Sequence, residues 1–512
     1  MKSSAAIGRR SFFARTGALA AVAGSLEQLS AAQSRPGARP KNIIFMVSDG
    51  MSPTVLTLAE HFSLLVRQKG TMWHALYNRP DVQRGLMDMA SLNSMVTDSS
   101  AASSSWGSGS RIWNGMVNVL PDGTALTPIA SIAQQQKKRV GLVTTATVTH
   151  ATPAGFAAST NDRGGENIIA EQYYNNVDVI LGGGRSFFDA DKRKDGKDVP
   201  AEYARRGYTL VRNKQQLMAA HQAAKILGLF SNSHVPYTID HRQSEELQRE
   251  VPTLAEMTEI ALGSLSQSSE GFLLQIEGAR VDHAAHNNDA AALLWDQIAF
   301  DDAIQAVLRF AGKHPDTLIV ITSDHGNSNP GMNSMSSKYG GTDACFERLA
   351  LATRSVERMT PLLGSKAEYS MSFESNSPAA NTAAEKIRDV VKSSLGFEPS
   401  KEHVELIRRS LAGQTGVAVN YGLDKPAGVL GLVAGHHNGI QWTSTSHTSD
   451  YTLVTALGPG SDRFQGVVRN TDCFRHMCDF MGSNFRNPSM DLQKAKQFMK
   501  AARLTKPHLH WV

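Results

Sequence analysis

The chain is poor in cysteine, in long apolar runs and, beyond its first 32 residues, in net charge. Three cysteines in 512 residues, Cys345, Cys473 and Cys478, permit at most one disulfide. A disulfide-stapled scaffold is therefore excluded. Their spacing matches no zinc site, and they read as small buried side chains. No apolar run reaches the roughly 18 residues of a membrane span, which excludes a polytopic membrane protein. The formal charge is +5, but Lys2, Arg9, Arg10 and Arg15 against Glu27 put +3 of it in residues 1–32, leaving +2. A nearly neutral body carries no electrostatic footprint for nucleic acid, and no such partner is required. What remains is globular. At 41% hydrophobic and 19% charged, the composition excludes disordered, collagenous and coiled-coil classes.

The first segment reads as an address. Arg9-Arg10-Ser11-Phe12-Phe13 precedes a weakly apolar stretch from Thr16 to Leu26, followed by small residues at Ser30-Ala31-Ala32. That order fits a twin-arginine export signal over residues 1–32, with the periplasm or the outside of the cell as destination. Residues 33–41 read as a linker.

Several β-branched runs end in polar or Gly residues: Asn42–Ser48, Arg139–Thr145, Val177–Leu181, Gly271–Ile276, Thr317–Thr322 and Tyr451–Leu457. Continuous apolar runs imply burial on both faces. Helical periodicity between them, as over Asp289–Phe310, predicts an α/β fold: a doubly wound, mostly parallel central sheet flanked by helices. The body spans 42–482, with crown- or cap-like insertions at strand ends over about 187–252 and 327–445. Residues 483–512 read as a C-terminal tail.

Polar residues follow these runs. Asp49 follows the first, Thr152 the second, Glu277 a later one, and Asp324-His325 another. In open α/β sheets, ligands sit beyond the carboxyl ends of the strands. Carboxylates gathered at one edge repel one another unless cations lie between them. Asp282 and His286 are spaced i, i+4, so one helical turn turns both to one face, where they can share a metal. His447, just before the last run, is a further candidate ligand. Asp98-Ser99-Ser100 opens an Ala/Ser-rich helix, so either serine is a candidate nucleophile at a helix N-terminus. Arg163 offers a guanidinium fork that matches two phosphate oxygens.

Together these residues resemble the alkaline phosphatase family. The motifs are SDGM (48–51), TDSSAAS (97–103), TATVTHATPAGFAAS (145–159), QIEGARVDHAAH (275–286), TSDHG (322–326) and SHTSDY (446–451). The resemblance implies hydrolysis of phosphate monoesters through a phosphoserine, with two Zn²⁺ and one Mg²⁺. It places Ser99 as nucleophile, Asp98 as an orienting group and Arg163 as the phosphate clamp. Asp282, His286 and His447 would hold one zinc, and Asp49, Asp324 and His325 the other. Asp49, Thr152 and Glu277 would hold magnesium. His150 and His283 stand where the best-known bacterial pattern has Asp and Lys; either could contact the third metal or bind phosphate through water. The substrate would be a small phosphate ester, and the resemblance implies a homodimer. The rival within the same superfamily is a phosphodiesterase or phosphonate hydrolase. The rival of another class is a catalytically idle phosphate-binding protein.

Overall fold

The computed structural model describes residues 39–334, 339, 341–371, 378–418 and 420–499; the expected export signal lies outside them. All six β-branched runs lie among the strands of one ten-stranded sheet. These are β1 (Asn42–Ser48), β2 (Gln83–Asp88), β3 (Arg139–Thr147), β4 (Val179–Gly183), β5 (Thr209–Val211), β6 (Ile226–Leu229), β7 (Phe272–Gly278), β8 (Thr317–Thr322), β13 (Thr452–Leu457) and β14 (Gly466–Arg469). Between β8 and β13 lie two short ribbons: β9 (Gly326–Asn327) with β12 (His447–Thr448), and β10 (Gly331–Met332) with β11 (Ile440–Gln441). The sheet order is β14-β2-β13-β8-β1-β7-β3-β4-β6-β5. Only β13 runs against the rest, antiparallel to both β8 and β2.

Burial explains the central strands. Every residue of β1, β7 and β8 is buried. Side chains of β1 alternate between two cores: Ile44 and Met46 face one, Ile43, Phe45 and Val47 the other. Phe45 packs 5.0 Å from Trp106 and 5.6 Å from Phe156. Full burial of such a side chain contributes about 1.5–3 kcal/mol.

Two segments differ from their sequence reading. The stretch 187–252, read as an insertion, supplies β5 and β6, which close one edge of the sheet. Its polar composition hides two short strands, and only Ile226–Leu229 is apolar throughout. The stretch after 482, read as a tail, packs onto the body. Asn487 Nδ2 donates to the carbonyls of Ser108 and Thr127, and the Ser110 hydroxyl to that of Pro488. Met490 and Ala495 are buried with Ala101 and Ile112. The segment 327–445 is mainly helical. All three cysteines are buried and unpaired.

Four helices bear on the site: α1 (Ser99–Ser108), α2 (Ala151–Ala157), α3 (Arg280–His286) and α4 (Ala290–Lys313). α1 and α2 meet through their smallest residues. A Cβ on Gly107 would stand 1.9 Å from the Gly155 carbonyl, and one on Gly155 2.1 Å from Ser103 Oγ. The Ser103 hydroxyl donates to the Thr152 carbonyl at 2.5 Å, fixing the two helix starts relative to each other. Gly155→Ala should force them apart at a cost of about 1–3 kcal/mol. Denaturant unfolding should show that loss together with reduced activity; wild-type stability would refute the tight crossing.

Candidate active site

Strand register delivers the acidic residues to one place. Val47 pairs with Glu277 on β7 and with Thr322 on β8. Two residues further along, Asp49 and Asp324 leave their strands side by side, just beyond the level of Glu277. β13 runs the other way, so the residues that precede it arrive at this same edge. β12, which pairs His447 with Asn327, sets His447 beside the end of β8. α3 starts directly after β7 and turns Asp282 and His286 inward.

The resulting cluster is compact. Asp282, His286 and His447 present ligand atoms within 4.8 Å of one another, as do Asp49, Asp324 and His325, and a third set of Asp49, His150 and Glu277. His286 Nε2 lies 3.4 Å from Asp282 Oδ2 and 3.1 Å from His447 Nε2. His325 Nε2 lies 3.2 Å from Asp324 Oδ2 and 3.6 Å from Asp49 Oδ1. The His325 and His447 rings stack with centroids 3.6 Å apart. Thr152 reaches the third set beside Glu277, whose Oε2 accepts from Thr144 Oγ1 at 2.5 Å.

The polar balance of this cluster calls for cations. Both carboxylate oxygens of Asp49, Glu277 Oε1 and Asp324 Oδ2 are buried with no donor. Such atoms are costly to bury unless something positive compensates them. The histidines agree. His286 Nδ1 lies 2.8 Å from the Thr445 carbonyl and His447 Nδ1 2.9 Å from that of Thr97. A carbonyl only accepts, so each ring carries its proton on Nδ1. In the neutral rings, two Nε2 lone pairs then face each other, an arrangement that a shared cation relieves. Burial and the neighbouring His325 hold His447 neutral, its pKa pushed down to about 3. The donor sets thus fit metal ions.

Ligand positions are held from behind. Asn327 Nδ2 donates to Asp282 Oδ1 at 2.7 Å, and Gly50 N to Asp324 Oδ1 at 2.9 Å. Gly50 has φ +65°, and a Cβ there would stand 2.3 Å from Asp282 Oδ1, so any side chain would displace that carboxylate.

Beside the acidic cluster stands the N-terminus of α1. Asp98 caps it, Oδ1 accepting from Ala101 N at 2.8 Å. Asp98 Oδ2 accepts from the Ser100 hydroxyl at 2.7 Å, from Gly115 N at 2.8 Å and from Arg163 Nη1 at 3.1 Å. Ser100 is thereby turned away. Ser99 Oγ points into the cluster, 3.1 Å from His325 Nε2. Arg163 Nη2 lies 3.2 Å from His150 Nε2. His283 stands further out, its Nδ1 2.9 Å from Arg280 Nη1.

The structure thus gathers every residue singled out from sequence around one edge. It adds Asn327, two residues beyond His325, and His234, which follows β6 and packs 4.3 Å from His283 between ring centroids. His234 escapes the sequence pattern because the apolar run Ile226–Leu229 before it lies inside an otherwise polar segment.

The alkaline phosphatase family model matches residues 40–405 of this chain. The chain belongs to the alkaline phosphatase family. The crystal structure of Thermus thermophilus alkaline phosphatase is 33% identical with a TM-score of 0.81, covering 93% of this chain and 98% of its own. Alkaline phosphatase 3 of Bacillus subtilis is 24% identical over 91% of this chain and 94% of its own length. Streptomycin-6-phosphate phosphatase of Streptomyces griseus is 32% identical over 58% of this chain and 76% of its own. As an alkaline phosphatase family member, the protein is a phosphomonoesterase whose acidic and histidine groups suit metal ions.

The carboxylates give a pH signature in the metal-free protein. Burial, then Asp324, Asp282 and Glu277, hold Asp49 well above the usual carboxylate range. Burial pushes Glu277 up to about 7, although the Thr144 and Thr152 hydroxyls pull it down. The folded state therefore keeps protons that the unfolded chain releases near 4.5, and metal-free stability falls as pH rises from about 4.5 to about 7. The gap in Tm between metal-loaded and chelator-treated protein should widen from pH 5 to pH 8. A constant gap would refute the compensating role of the cations.

Proposed function

We propose that the protein hydrolyses phosphate monoesters through a phosphoserine on Ser99. In this reading Asp282, His286 and His447 hold one zinc. Asp49, Asp324 and His325 hold a second, and Asp49, Thr152 and Glu277 hold magnesium. The split follows donor chemistry: imidazole-bearing sets suit zinc, while carboxylate and hydroxyl suit magnesium. When bound, the ions supply Lewis-acid charge neutralisation on the transferring phosphoryl group and lower the pKa of coordinated oxygen.

The observation that carries the reading is the contrast between two adjacent serines. Ser100 spends its proton on Asp98, whereas Ser99 aims its oxygen at the ligand cluster from a helix N-terminus. Ser99 Oγ gives up its proton as it bonds to phosphorus, in line with the departing oxygen, which leaves as the alcohol. Water then cleaves the phosphoserine to release inorganic phosphate. Arg163, held by Asp98, presents its guanidinium to the non-bridging oxygens. A monoester offers more of these than a diester, so Arg163 favours monoesters over diesters. Export through the twin-arginine signal in residues 1–32 belongs to the same proposal, as does assembly as a homodimer.

Ser99→Ala should abolish phosphoenzyme labelled from a ³²P monoester, while Ser100→Ala should retain it. Label on Ser100 in the Ser99 variant would overturn the assignment. Arg163→Ala should lower kcat/KM for monoesters by about 1.5–3 kcal/mol of transition-state stabilisation and narrow the preference over a bis-aryl diester. A wild-type preference in steady-state assays would count against the clamp.

A further inference from the structure

Three imidazoles stand together beside Arg163, and one of them, His234, has no part in the reaction just described. The ring centroid of His234 lies 4.3 Å from that of His283 and 5.9 Å from that of His150, and His150 and His283 are 5.6 Å apart. Each ring accepts from a group that can only donate. Thr147 N donates to His234 Nδ1 at 3.2 Å, Arg280 Nη1 to His283 Nδ1 at 2.9 Å, and Arg163 Nη2 to His150 Nε2 at 3.2 Å.

These contacts fix the tautomers. The proton sits on His234 Nε2, His283 Nε2 and His150 Nδ1, so the second nitrogen of each ring is a donor. His150 Nδ1 is buried with no partner. These N–H donors, flanked by Arg163 and Arg280, whose guanidiniums also pair with Asp98 and Glu357, make a wall of hydrogen-bond donors. His234 directly follows the exposed Asn232 and Ser233, beyond the carboxyl end of β6, the end of the strands where ligands of open α/β sheets bind.

We propose that His234, with His283 and His150, forms an oxyanion subsite beside the phosphate clamp, selecting phosphate monoesters that carry a second anionic group. The proposal rests on the phosphomonoesterase reading and narrows its substrate class. With one phosphoryl group at Ser99 and Arg163, the second oxyanion would accept from His234 Nε2 and His283 Nε2.

The test compares ethylene glycol bisphosphate with ethyl phosphate in the full-length, metal-loaded enzyme. Wild type should favour the bisphosphate in kcat/KM. His234→Ala should reduce the bisphosphate-to-monophosphate ratio about tenfold, in line with loss of one hydrogen bond to a charged group. His234→Gln, which keeps an N–H donor, should restore most of that ratio. An unchanged ratio in His234→Ala overturns the subsite, whether the two substrates slow equally or neither slows. So does a loss that Gln does not restore. Failure of the phosphomonoesterase reading shows separately: wild type would then leave ethyl phosphate intact, and the subsite would fall with it.

Discussion

Mutual repulsion among buried carboxylates is the constraint that organises this molecule. Asp49, Glu277, Asp282 and Asp324 converge on one small volume with too few hydrogen-bond donors to satisfy them. A fold that tolerates such a cluster has to be held from outside it. The central strands supply that hold, because β1, β7 and β8 are buried on both faces and in register. Moving any one of them by two residues would separate Asp49 from its neighbours. The metal ions that the donor sets fit thus belong to the stability of the fold as much as to its chemistry.

The same pressure accounts for the outer layer of contacts. Asn327 neutralises one oxygen of Asp282, Gly50 leaves that carboxylate room, and backbone carbonyls of Thr445 and Thr97 orient the two imidazoles. Each removes a degree of freedom from a residue that has to be placed to within a fraction of an ångström. On the other side, Asp98 performs three tasks with one carboxylate: it caps α1, turns Ser100 aside and aims Arg163.

Much of this was legible in the sequence because the chemistry sits directly after β-branched runs. Asp49, Glu277 and the Asp324-His325 pair each follow such a run, and the i, i+4 spacing of Asp282 and His286 is local. What escaped was whatever depends on distant pairing. β14 is an edge strand and β2 its neighbour, and each has a single buried residue, Met87 and Val468, so neither forms a continuous apolar run. The direction of β13 cannot be read from its composition, yet that reversal brings His447 to the site. β5 and β6 lie inside a polar segment, and with them His234. The choice between Ser99 and Ser100 turns on a single hydrogen bond to Asp98, which sequence alone leaves open.

The packing of residues 487–495 against Ser108, Ser110 and Ala101 has a bearing on biosynthesis. The ribosome makes the helix that bears Ser99 early, but the groups that lock its far end emerge only after residue 486, and His447 not long before. A nascent chain therefore carries all four acids from residue 324 onward without His447, a member of the same cluster that is made only later. Assembly of the centre is thus deferred until His447 and residues 487–495 have been made, which ties competence for catalysis to segments far downstream of Ser99.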